Sequence, residues 1–105
     1  MKDTKEHVYR EFINDLRNIE SNLINTSDKS QYIKLEEFYR MVGIDKDELS
    51  ELLKSSGFNS LMDFFNVKEQ LKQEDSAKIN FFISTIKGIN NAVEKRLVYD
   101  LEQNQ

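Results

Sequence analysis

The chain has 105 residues and carries 15 Lys and Arg against 19 Asp and Glu, a formal charge of −4 at pH 7. This length suits one domain, residues 1–105, and the absence of cysteine excludes disulfides and thiolate chemistry and removes any need for an oxidising compartment. The charged opening Met1 Lys2 Asp3 Thr4 Lys5 Glu6 leads into an amphipathic pattern with no apolar run long enough to span a bilayer, so the expectation is a cytoplasmic protein, neither secreted nor membrane-spanning.

Seven Phe and four Tyr supply the large surfaces of a thin core in an otherwise polar chain. Abundant Lys, Asn and Ile, with no Pro and no Trp, is the kind of composition that AT-rich genomes encode. From Thr4 to Ile24 the residues Val8, Tyr9, Phe12, Ile13, Leu16, Ile19, Leu23 and Ile24 recur at helical spacing and predict a long amphipathic helix. Asn25 to Ser30 is a cluster of turn formers, and Tyr32 with Ile33 reads as a short strand after it.

Leu35 to Val42 is helical in pattern. Gly43 interrupts it, and Asp45 is a competent N-cap for a further helix through Leu49, Leu52 and Leu53. Gly57 suits a left-handed stop, and Ser60 with Asp63 has the spacing of a capping box opening a helix to about Lys72. The last segment has two periods. Ile79, Phe82, Ile86, Ile89 and Val93 fit a helix, whereas Ile79, Phe81 and Ile83 fit one face of a strand. The β-branched residues Ile79, Ile83, Thr85, Ile86, Ile89, Val93 and Val98, with Gly88 beside Asn90 and Asn91, favour a β-hairpin with strands at about 78–86 and 95–102.

This order of elements resembles the winged helix-turn-helix DNA-binding family over most of the chain, most specifically from Leu35 to Leu53. There Gly43 is flanked by Phe38, Val42, Ile44, Leu49 and Leu52 at the spacing by which the family's two helices pack. Two departures are Tyr39, where the family usually has Ala, and an extra helix before the wing. The resemblance implies an α+β fold: a long N-terminal helix, a helical motif and a C-terminal β-hairpin wing. It also implies sequence-specific binding of double-stranded DNA, as a transcriptional regulator or as an accessory factor that organises the transfer origin of a conjugative plasmid.

Charge qualifies that expectation. A net −4 opposes generic nucleic-acid binding, and the presumed recognition helix opens with Asp45, Asp47 and Glu48 and continues to Glu51. The basic element is the expected wing, where Lys78, Lys87, Lys95 and Arg96 are opposed only by Glu94. The expected DNA-binding set is therefore Lys78, Lys87, Gly88, Asn90, Asn91, Lys95 and Arg96, with cations on phosphates and the Asn pair on base edges. A homodimer is expected as well, because two half-sites raise specificity and because Tyr9, Ile13, Phe82 and Ile86 fall on apolar faces without an evident cover. The alternative is that the helix with Phe64, Phe65 and Leu71 covers those faces within one chain.

No catalytic constellation emerges, and neither an enzyme, a cofactor nor a small-molecule substrate is expected. His7 is the only histidine and, without Cys, no His/Cys metal set is expected. The Asp45 to Glu48 cluster lacks the glycine and terminal Glu of a calcium loop, Glu36 and Arg40 make an ordinary helix pair, and the glycines are isolated rather than part of a phosphate loop. The competing function is an acidic protein-binding inhibitor or adapter from a phage or plasmid, which would set the Glu36 to Glu51 region against a basic partner.

Overall fold

The computed structural model describes the backbone of residues 2–103 and the side chains of residues 5–103. Every regular element among them is helical: α1 Lys2–Asn22, α2 Lys29–Met41, α3 Lys46–Leu53, a 3-10 turn Lys54–Ser56, α4 Leu61–Glu74 and α5 Ser76–Gln103. None is long and apolar enough to cross a membrane.

The helix boundaries are set by local chemistry, as expected for α3 and α4 and earlier than expected for α2. Asp28 and Asp45 cap α2 and α3 by accepting the amides of Ser30 and Glu48, and the Ser60 hydroxyl accepts the amide of Asp63 at the start of α4. Gly43 and Gly57 take φ of 92° and 88°, left-handed values that a residue with a Cβ resists. The turn that admits α3 and the stop after the 3-10 turn depend on them. Tyr32 and Ile33 form no strand, because Asp28 starts α2 early enough to include both.

The α+β expectation is overturned at the C-terminus. Residues 78–102 form no hairpin wing and lie within one 28-residue helix, α5. A hairpin would have divided its apolar residues between two faces, setting Ile79 with Phe81 and Ile83 and leaving Phe82 and Ile86 opposite. A helix gathers Ile79, Phe82, Ile86, Ile89 and Val93 onto one line, and all five are buried. The β-branched residues of α5 each cost at most about 0.7 kcal/mol of helix propensity, and Gly88 costs about 1 kcal/mol. Burying each of five large apolar side chains contributes about 2 kcal/mol, so burial outweighs the local preference.

α5 is the hub of the bundle, packing against α1, α3, α4 and the 3-10 turn, while α2 bridges α1, α3 and α4. Its Phe82 ring stacks on Phe64 of α4 with centroids 3.9 Å apart, and Phe58 meets both rings edge-on at 5.4 Å. Phe82 and Ile86 are therefore core residues, covered within the chain, and not an interface. A buried polar chain fixes the register of three helices. The Tyr39 hydroxyl of α2 donates to Asn90 Oδ1 of α5 at 2.5 Å, and Asn90 Nδ2 donates to Glu20 Oε1 of α1 at 2.8 Å. The Tyr39 ring is thus fully buried, and its hydroxyl has a partner.

Two outcomes follow from this packing. Backbone chemical shifts are expected to be helical without interruption from Ile79 to Leu101. Tyr39→Phe is expected to lose about 1–3 kcal/mol in denaturant titration, because it leaves the buried Asn90 oxygen without its donor.

Candidate functional site

The residues expected to bind DNA are dispersed by the helix. At 3.6 residues per turn, Lys87 and Arg96 are about two and a half turns apart and so lie on opposite sides of α5. Lys95 points about 100° from Arg96, and only Lys78 shares Arg96's side, about 27 Å away along the axis. These four cations are exposed but do not form one basic surface. Asn90 is buried in the polar chain described above, and Asn91 Oδ1 accepts from Arg17 Nη2 at 2.7 Å.

Arg17 is the centre of that second cluster. It donates to Glu20 at 3.0 Å and to Glu94, and the Glu94 hydrogen bond, ahead of Glu20, holds its guanidinium above the ordinary arginine range. Burial raises the Tyr39 phenol, with the Glu20 charge adding to it. The groups in this network are hydrogen-bonded to one another, so the cluster ties α1 to α5. Lys68 is similar. Its side chain is only 2% exposed, yet Nζ donates to Glu69 at 2.8 Å and to the Ile24 carbonyl at 3.3 Å just beyond α1. Of the expected interface residues, Ile13 is half-buried, while Tyr9 donates its hydroxyl to Asp100 at 2.7 Å and so helps fasten α1 to α5. Among the described residues no group of three His, Cys, Asp or Glu is placed to hold a metal ion.

An open groove of about 680 Å³ runs between two walls. One wall is the α2–α3 turn and α3, with Met41, Ile44, Glu48 and Leu52, and the other is α5, with Thr85, Gly88, Ala92 and Arg96. Met41 is 72% exposed, and Leu52 is exposed as well, so the α3 wall ends in an apolar rim.

The charge surplus falls on α2, α3 and the turn between them. Between residues 36 and 51 stand Glu36, Glu37, Asp45, Asp47, Glu48 and Glu51 against Arg40 and Lys46, a surplus of four that equals the net charge of the whole chain. Elsewhere carboxylates are largely engaged, as in Lys5 with Asp100, Arg10 with Glu6, and Lys68 and Lys72 with Glu69. Here Glu51 meets Lys54 at 3.7 Å and Asp45 caps α3, but the exposed side chains of Glu37, Asp47 and Glu48 have no ion-pair or hydrogen-bond partner among the described residues.

Gly88 stands on the α5 wall at ordinary helical φ, and a Cβ built on it meets no atom within 4 Å. Gly88→Ala is therefore expected to raise stability by about 1 kcal/mol and to shift the thermal midpoint upward, measurable by circular dichroism. No protein-family model, no curated protein and no solved structure matches this chain.

Proposed function

We propose that the protein is a non-catalytic adapter or inhibitor that binds a basic partner protein through the acidic α2–α3 surface. The observation that carries this reading is the location of the charge surplus. The whole net −4 is concentrated on residues 36–51, with unpaired carboxylates on Glu37, Asp47 and Glu48 beside the exposed apolar side chains of Met41 and Leu52. Carboxylates without intrachain partners attract a cationic surface over roughly a Debye length, about 8 Å at physiological salt, and the apolar rim supplies short-range burial once contact is made. A helix carrying Lys or Arg on one side and apolar residues on the other has this chemistry.

DNA recognition loses the support it had in the sequence, since no wing gathers the cations and Asn90 has its donor and acceptor groups engaged inside the protein. Duplex DNA is instead the contrasting ligand of the test.

Titration calorimetry with a synthetic amphipathic Lys/Leu helix is expected to show saturable, salt-weakened binding. A scrambled peptide of equal composition is expected to bind at least tenfold more weakly. Glu37→Lys with Asp47→Lys is expected to abolish binding without lowering stability, since neither side chain has a partner. Equal binding of both peptides would reduce the interaction to bulk charge, and retention of duplex DNA at low salt without peptide binding would overturn the proposal.

A further inference from the structure

The side of α5 that borders the groove carries a second periodic row. Phe81, Thr85, Gly88, Ala92, Lys95 and Tyr99 follow one another at alternating intervals of four and three, the repeat by which one helix presents a continuous seam to another. This row is separate from the buried one. Phe81 is 53% and Tyr99 62% exposed, and Gly88, Ala92 and Lys95 are exposed between them. The Thr85 hydroxyl donates to the Phe81 carbonyl at 3.0 Å within its own helix, so covering Thr85 strands no donor.

The row reads the same in both directions about residue 90. Phe81 and Tyr99 are equally far from that point, as are Thr85 and Lys95, and Gly88 and Ala92. Two copies of α5 lying antiparallel across a twofold axis at that level would set an aromatic against an aromatic at each end and small residues together in the middle. Close approach of two helices needs small side chains at the crossing, which gives Gly88 a reason that the single chain does not supply.

Charge selects the same arrangement. The exposed Lys78 and Glu102 flank the row and are again equidistant from residue 90, so an antiparallel pair brings Lys78 of one copy level with Glu102 of the other at both ends. A parallel pair would instead set Lys78, Lys95 and Glu102 each level with its own copy, opposing like charges three times.

We infer that α5 pairs with α5 of a second copy, antiparallel, through Phe81, Gly88, Ala92 and Tyr99, to form a twofold homodimer. The seam from Phe81 to Tyr99 is about 27 Å long, a self-complementary patch of the kind a twofold interface requires. It does not involve Glu37 or Asp47, so the dimer would display the acidic surface twice. The inference stands whether or not that surface binds a basic partner.

Sedimentation equilibrium between about 1 and 200 µM is expected to give twice the 12.4 kDa chain mass. Gly88→Glu and Ala92→Glu, each placing two carboxylates together at the crossing, are expected to weaken association at least 100-fold. A Cβ on Gly88 meets no atom within 4 Å and Ala92 is exposed, and the helical circular dichroism signal of the Ala92 variant checks that the fold persists. The chain has no native cysteine, so a spin label on Asn80→Cys, an exposed site off the seam, reports orientation. Antiparallel pairing separates the two labels by about 30 Å along the axis, whereas parallel pairing sets them level. A 12.4 kDa species throughout, a dimer indifferent to both Glu substitutions, or level labels would each overturn the inference.

Discussion

The structure depends on one line of buried side chains along α5. Ile79, Phe82, Ile86, Ile89 and Val93 face inward together, and α1, α3, α4 and the 3-10 turn are arranged around them. In a chain of 105 residues that is this polar, few side chains are available to build a core, so the buried apolar groups have to be shared between elements. Phe82 illustrates the economy. It stacks on Phe64 and meets the edge of Phe58, joining α5 to α4 and to the loop before it. Without that continuous inward line the short helices α3 and α4 would have nothing to cover, since isolated helices of this length are marginal in water.

Apolar burial is not specific about register, and here polar contacts supply what it lacks. Tyr39, Asn90 and Glu20 form a hydrogen-bonded chain from α2 through α5 to α1, and the Arg17 cluster with Asn91 and Glu94 repeats the tie on the surface. A helix slid by one residue would bury these groups without partners, at a cost of a few kcal/mol. Lys68 does the same for α4. Its ammonium reaches the Ile24 carbonyl at the end of α1 while meeting Glu69 at the surface, so a nearly buried cation keeps its hydrogen bonds. Among the described residues no buried side-chain polar atom lacks a partner, which is what a thin core needs if its polar members are not to destabilise it.

Charge is distributed with a comparable division. Outside residues 36–51 positive and negative side chains are equal in number and several are paired, as Lys5 is with Asp100 and Arg10 with Glu6, while that stretch keeps the entire surplus and several unpaired carboxylates. The proposed acidic surface and the proposed α5 seam lie on either side of the same groove. One is rich in unpaired carboxylates and edged by Met41 and Leu52, and the other is aromatic at its ends and small in its middle. A molecule with both would be a twofold body presenting two acidic faces, which multiplies weak attraction to a partner that carries more than one basic segment.

By itself the sequence determined the helices whose ends are written in local chemistry. Asp45, Gly43, Gly57 and Ser60 act on backbone groups within a few residues of themselves, so α3, α4 and the turns between them were legible before any tertiary contact was known. The long first helix was legible too, because its amphipathic period is unbroken over many turns. Two readings failed for a common reason. Tyr32 and Ile33 look like a strand, and Ile79 to Val98 looks like a hairpin, when each is judged by β-branched propensity and turn formers alone. Those preferences are worth tenths of a kcal/mol per residue, whereas the burial that overrules them is worth about 2 kcal/mol per large side chain and exists only when α1, α3 and α4 are in place. The same dependence governed the site. Asn90 and Asn91 have the chemistry to read a base edge, but which atoms they meet was decided by α1 and α2, whose Tyr39 and Glu20 engage both ends of the Asn90 amide and whose Arg17 takes the Asn91 oxygen. Only the packed bundle, by closing one face of α5 and leaving the other open, separated the residues that hold the molecule together from those free to meet another.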